Sequence, residues 1–223
     1  MSDNGVGKDK PRLTDASLRV GPNFTPFSPQ GIPESCLQQV FEVACLSPSE
    51  WNFQPWRWII VRNSSGKQQL EQSTYIKAPL GSAPVVLICL GDTLAWKTAP
   101  QHLKEMVASR KMSEEDAREV LGRIREHYSL SPEMAKRAAL ANAFVALHQM
   151  LLAAADCDLS AYWVSEFNEN RIKTFFNIPD QFLVAALLAI GYREGAMPPP
   201  APKLPLQSLV YKEKFGESFN HND

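Results

Sequence analysis

The 223-residue sequence predicts one unit of the α/β or α+β class, in which aliphatic strands are buried against amphipathic helices. Three observations carry this expectation. Residues 84–90 and 182–190 are apolar runs of strand length, as in buried strands, and the aromatic and β-branched content of 56–61 marks a third strand. Leu37, Val40, Phe41, Ala44 and Cys45 recur at helical spacing. Residues 135–155 are apolar almost all round, which predicts a helix buried on every side, either within one domain or with a partner subunit over one face. Neither an internal repeat nor a second apolar core is present, so a single unit is expected.

The elements are justified in order along the chain. Residues 1–20 carry no periodicity and read as a flexible arm, and four prolines between 21 and 33 make an extended loop. Pro33 and Glu34 open the first helix, with proline in the first turn and an acid at the positive end of the dipole, and Pro48 stops it. The aromatic and β-branched run at 56–61 is a strand, Asn63 to Gly66 a turn, and 67–75 a short helix. A buried strand follows at 84–90. The charge-rich stretch 94–130 reads as a helical insertion or cap on the core. Ser131 is the expected N-cap of the long apolar helix. A strand at 160–164, a helix at 168–176 and a strand at 182–190 complete the unit. The proline-rich tail 195–216 must be extended, and its hydrophobes require another surface to lie on. Residues 21–216 are thus one domain, and 217–223 a disordered tail.

Charge and cysteine usage exclude several functions. A net charge of −1 argues against a nucleic-acid partner, and residues 104–125 mix both signs as a solvated helix face does. The four cysteines have no C-x-x-C spacing, and three lie in apolar runs, so all read as buried small hydrophobes of a reducing compartment. The four histidines lack metal-ligand spacing, and no metal is expected. His148, unpaired at any catalytic spacing, reads as a core or interface side chain. The polar N-terminus predicts no secretory signal, and Asn142, His148 and Gln149 interrupt the longest apolar run. A cytoplasmic protein without membrane association is the expectation.

The chemistry-bearing segment is Ser47-Pro48-Ser49-Glu50-Trp51-Asn52-Phe53-Gln54-Pro55-Trp56, between a helix stop and a strand start. Prolines fix both ends of the loop, and Ser49, Asn52 and Gln54 supply groups that donate and accept together. Taken alone this is a polar loop braced by aromatics, for which a structural turn is the simpler account. Tyr75, Trp96 and Tyr162 are further aromatic candidates for a cavity, with core packing as the default.

The pattern Pro-Ser-x-x-Asn-x-Gln-Pro-Trp, set between a helix and an aliphatic strand, resembles the nitroreductase family of FMN-dependent oxidoreductases. The likeness continues in order through the alanine-rich helix, the Asp-Leu-Ser turn at 158–160, the strand ending in Gly191 and a Pro-Leu-x-x-Leu-Val tail at 205–210. It implies an α+β fold: a central mixed or antiparallel sheet flanked by helices, with the long helix at a homodimer interface. FMN is the implied cofactor, NADH or NADPH the donor, and a small organic acceptor of nitroaromatic or quinone type the substrate, turned over by a ping-pong mechanism. A specialised dehalogenase or flavin-fragmenting member of the fold, or a non-catalytic flavin-binding protein, are the alternatives. Carried over residue by residue, the resemblance places Pro48, Ser49, Asn52 and Gln54 around the flavin. The segment from Trp163 to Glu166 offers a backbone N–H to the ring, with Ser165 and Glu166 at its end. Lys203 meets the phosphate. The family's N-terminal Arg-Arg-Ser-x-Arg-x-Phe run has no ungapped counterpart, because residues 21–27 contain no arginine. With an insertion, Ser17 and Arg19 supply its Ser-x-Arg half.

Overall fold

The computed structural model describes residues 25–195, 202–217 and 219. Six α-helices and four strands follow one another: α1 (Glu34–Cys45), β1 (Trp56–Val61), α2 (Ser64–Ser73), β2 (Val85–Asp92), α3 (Ala99–Ala108), α4 (Glu114–Ser129), α5 (Pro132–Asp156), β3 (Ser160–Val164), α6 (Glu169–Phe176) and β4 (Phe182–Gly191). The strands form one antiparallel sheet in the order β1-β2-β4-β3, so the α+β expectation holds. The expectations for residues 1–20, including Ser17 and Arg19, lie outside the described residues, as do those for most of 217–223.

Both faces of the sheet are covered, which is why its central strands read as unbroken aliphatic runs. One face presents Val86, Ile88, Leu187 and Ala189 to Leu70 of α2 and Ile172 of α6. The other presents Val85, Leu87, Leu188 and Ile190 to Leu37, Val40 and Ala44 of α1 and to Leu147, Met150 and Ala154 of α5. Cys89 pairs with Ala186 and Leu90 with Val184, leaving Ala185 as an extra residue in β4. This bulge reverses the alternation, so Val184 faces the same side as Leu187. A third cluster, built from Leu103, Val120, Ile124, Tyr128 and Ala135, holds α3 and α4 on the start of α5.

Four expectations need correction. Asn63 to Gly66 is the first turn of α2 rather than a separate turn: the Asn63 side chain accepts from the Gly66 N–H at 2.6 Å and caps the helix. Ser131 precedes α5 but makes no capping bond. The single chain does not bury the long helix all round by itself, since Ala141, Val145 and His148 form an exposed stripe on its outer side. Its length and composition would suit a membrane span, yet half of its apolar window is buried within this fold. Among the cysteines Cys89 is buried, Cys45 is exposed, and Cys36 and Cys157 are part-buried.

Gly91 marks a close approach of α5 to the sheet. A Cβ there would lie 2.8 Å from the Ala139 carbonyl oxygen, a backbone atom that cannot swing aside. Gly91→Ala is therefore expected to destabilise the protein by about 1–3 kcal/mol, read as a lower midpoint in chemical denaturation with an unchanged slope.

Candidate functional site

The antiparallel pairing places four chain segments at one end of the sheet. Trp56 opposes Gly91 and Asp92 opposes Phe182, while β3 ends at Val164 opposite Leu187. The loop entering β1 and the segment leaving β3 therefore share that end, but on opposite edges of the sheet. Three strand spacings, about 14 Å, separate those two edges across the sheet, and β3 stops short of the β4 residues that stand opposite the loop.

The loop is held in a conformation unusual for its residues. Trp51, Asn52 and Gln54 have φ values of 50°, 56° and 48°, in the left-handed region that non-glycine residues rarely occupy. Internal and tertiary bonds enforce it. The Gln54 N–H donates to Ser49 Oγ at 3.0 Å, and Asp92 N–H donates to the Pro55 carbonyl at 2.8 Å. From α5, Asn142 accepts the Glu50 N–H through Oδ1 at 3.2 Å and donates to the Ala138 carbonyl at 2.7 Å. From α4, the Tyr128 hydroxyl donates to the Glu50 carboxylate. Burial first, then the hydrogen bond to Glu50 and its charge, push the Tyr128 phenol well above its ordinary range. Arg57 donates to the Gln54 carbonyl at 3.0 Å, which brings a cation beside the loop.

These bonds leave some polar groups unmet. The Ser47 hydroxyl is buried with no hydrogen-bond partner among the described residues. The exposed Asn52 side chain makes no bond among them, and the Gln54 amide reaches only the Asn52 carbonyl, at 3.5 Å. Such groups, on a backbone fixed at both ends, are free to bond a ligand without a reorganisation cost.

The predicted site residues are distributed as follows. Ser49, Asn52 and Gln54 converge in the loop, with Pro48 exposed at its entrance. Ser165 and Glu166 lie exposed beyond β3, where the Glu166 carbonyl accepts the Tyr75 N–H at 2.9 Å and Asn168 N–H donates to Ser73. Lys203 is exposed in the tail, and no contact among the described residues ties it to either group. Tyr75 is exposed, Tyr162 is buried against Phe27, and Trp96 stacks on Tyr128. Among the described residues no three metal-ligating side chains gather.

Asn142, Tyr128 and Arg57 were not singled out by sequence. For Asn142 a signal existed: an amide inside an apolar helix must find partners. The partner, 92 positions away in sequence, had no signal.

Between the loop and the α3–α4 insertion lies a cavity of about 280 Å³, lined by Trp51, Asn52, Phe53, Leu103, Met106, Met112 and Ile124 with Ala99 and His102. Residues of α3 and α4, within the stretch 94–130, form the far wall of this cavity.

Residues 26–192 match the model of the Nitroreductase family. The chain belongs to the nitroreductase family. The family's oxidoreductases include relatives of substantial coverage. An NADH dehydrogenase of Thermus thermophilus is 29% identical over 181 residues, 80% of this chain and 85% of that protein. YodC of Bacillus subtilis, provisionally assigned as an NAD(P)H nitroreductase, is 24% identical over 70% of this chain and 76% of its own length. Among solved structures, a protein of Exiguobacterium sibiricum provisionally assigned as a nitroreductase, in complex with FMN, shares the fold at a TM-score of 0.75 and 20% identity, covering 90% of this chain and 95% of that one.

Proposed function

We propose that this nitroreductase-family chain is an FMN-dependent oxidoreductase that passes electrons from NADH or NADPH to a small organic acceptor of nitroaromatic or quinone type. The observation that carries the proposal is the strained, proline-bounded loop, whose Asn52 and Gln54 amides lack strong partners above the orphaned Ser47 hydroxyl. This donor set fits FMN, whose ring edge alternates acceptors with one donor, as side-chain amides do. When bound, FMN would supply two-electron redox chemistry between a nicotinamide donor and the acceptor, for which a ping-pong order is proposed.

The protein's own groups supply position and electrostatics. Asn52 and Gln54 hydrogen-bond the ring and stabilise negative charge that grows on it during reduction. Ser49 and Pro48 shape the loop, Ser165 and Glu166 would present backbone donors, Lys203 and Arg19 would supply positive charge to the phosphate, and Ser17 would add a hydroxyl donor. The cap of α3 and α4 excludes water, and its apolar cavity suits a small, flat, weakly polar acceptor. Such acceptors need no acid from the protein.

The two halves of this site sit on opposite edges of one sheet, and we propose that a second copy of the chain brings them together. The exposed stripe on α5 and the exposed Leu204, Leu209 and Phe215 of the tail support a homodimer, since each is apolar surface without cover.

The test is reconstitution with FMN, followed by anaerobic addition of NADH and then NADPH. Bleaching of the flavin by one of them and its recovery on adding a quinone are expected. Flavin that binds without bleaching would leave a binding protein rather than an enzyme, and flavin that never binds would remove the proposal.

A further inference from the structure

Cys36 lies in the first turn of α1 and Cys157 at the C-terminal end of α5. Both are part-buried against the same apolar cluster, which includes Leu37, Val40 and Ala154. The Cys157 Sγ lies 3.7 Å from Gln39 Oε1, one turn beyond Cys36 on the same helix, and the Cys36 thiol is near enough to help push the Cys157 thiol up. Neither of the other cysteines competes for this contact. Cys89 is sealed inside β2, and Cys45 is exposed at the far end of α1, about 13 Å along the helix from Cys36.

We propose that Cys36 and Cys157 are a site of reversible thiol oxidation, forming an intramolecular disulfide in the presence of hydrogen peroxide. The Cys36 thiolate attacks one peroxide oxygen, the O–O bond breaks, and a sulfenic acid and water result. The Cys157 sulfur then attacks the Cys36 sulfur, the S–O bond breaks, and the hydroxyl leaves with the Cys157 proton as a second water. Two thiols are oxidised to one disulfide, and one peroxide is reduced to two waters. The order of attack follows from the surroundings. Burial, the neighbouring Cys36 and the flanking Asp156 and Asp158 push the Cys157 thiol up to about 11, so Cys157 resolves rather than initiates.

The bond would join the two helices that frame the candidate site: α1 leads into the loop at 47–54, and α5 grips that loop through Asn142. It would also close most of the chain into one covalent loop, restricting the unfolded state.

The experiment exposes the full-length protein to hydrogen peroxide, quenches with an alkylating agent in denaturant, and maps peptides without reduction. Expected are a fall from four free thiols to two, a linked peptide pair carrying Cys36 and Cys157, and reversal by dithiothreitol. Cys45→Ser should leave this unchanged, and Cys36→Ser or Cys157→Ser should abolish it. The oxidised wild type should melt several degrees higher, a shift absent from Cys157→Ser. Four surviving thiols, a link through Cys45 between copies, or Cys36 recovered only as sulfinic acid would each overturn the proposal. The wild-type peptide map decides the matter even if a variant folds poorly.

Discussion

Replacing Asn52 and Gln54 together with alanine is expected to weaken FMN binding by roughly 30- to 150-fold. Two hydrogen bonds to the ring at about 1–1.5 kcal/mol each give that loss. The fold should survive, because both side chains are exposed and neither contributes to the three apolar clusters. One complication is the left-handed backbone, which asparagine tolerates better than alanine does. A second variant with glycine at both positions keeps that backbone without strain. It should lose affinity to the same degree, assigning the loss to the amides rather than to the loop's shape. Flavin fluorescence titration measures both. Affinity retained in both variants would mean that the loop is only a structural turn.

The second large effect concerns assembly. Val145 stands at 39% exposure on the outer stripe of α5, flanked by Ala141 and His148. If a second copy covers this stripe, Val145→Glu buries a carboxylate with no partner, at a cost of several kcal/mol. The dimer is then expected to dissociate at micromolar concentration, and FMN affinity to fall with it, because the loop and the strand-end segment would no longer meet. In the monomer the same substitution sits on a solvated helix face and should leave the melting of the isolated chain little changed. Sedimentation velocity distinguishes the outcomes, and an unchanged dimer would place the interface elsewhere.

The sheet was legible because its central strands are covered on both sides. Residues such as Val86 to Leu90 are unbroken aliphatics, and periodicity needs no tertiary information to find them. Helix ends were less legible. Asn63-Ser64-Ser65-Gly66 carries turn chemistry and capping chemistry alike, and the glycine belongs to the helix because a Cβ there would lie 2.7 Å from Val61 Cγ1. Composition alone could not say which side of α5 the single chain leaves uncovered, since an uncovered face and a buried one have the same residues. For the site, the motif residues were visible as a loop, and the resemblance assigned their roles. Asn142, an amide inside an apolar helix, was a legible oddity, but that it and Tyr128 hold the loop from 92 and 78 positions away was not, because long-range contacts leave no local pattern. The cysteines were misjudged for a similar reason. Apolar neighbours in sequence predict burial, yet Cys45 faces outward at the last turn of its helix.

One measurement reaches the central claim directly: size-exclusion chromatography of the FMN-saturated protein with light scattering and flavin absorbance recorded together. Flavin absorbance should coincide with a species of twice the 24.9 kDa chain mass and a stoichiometry of one FMN per chain. Flavin riding on a single-chain species would contradict a site shared between copies, and a protein peak without flavin would contradict the cofactor itself.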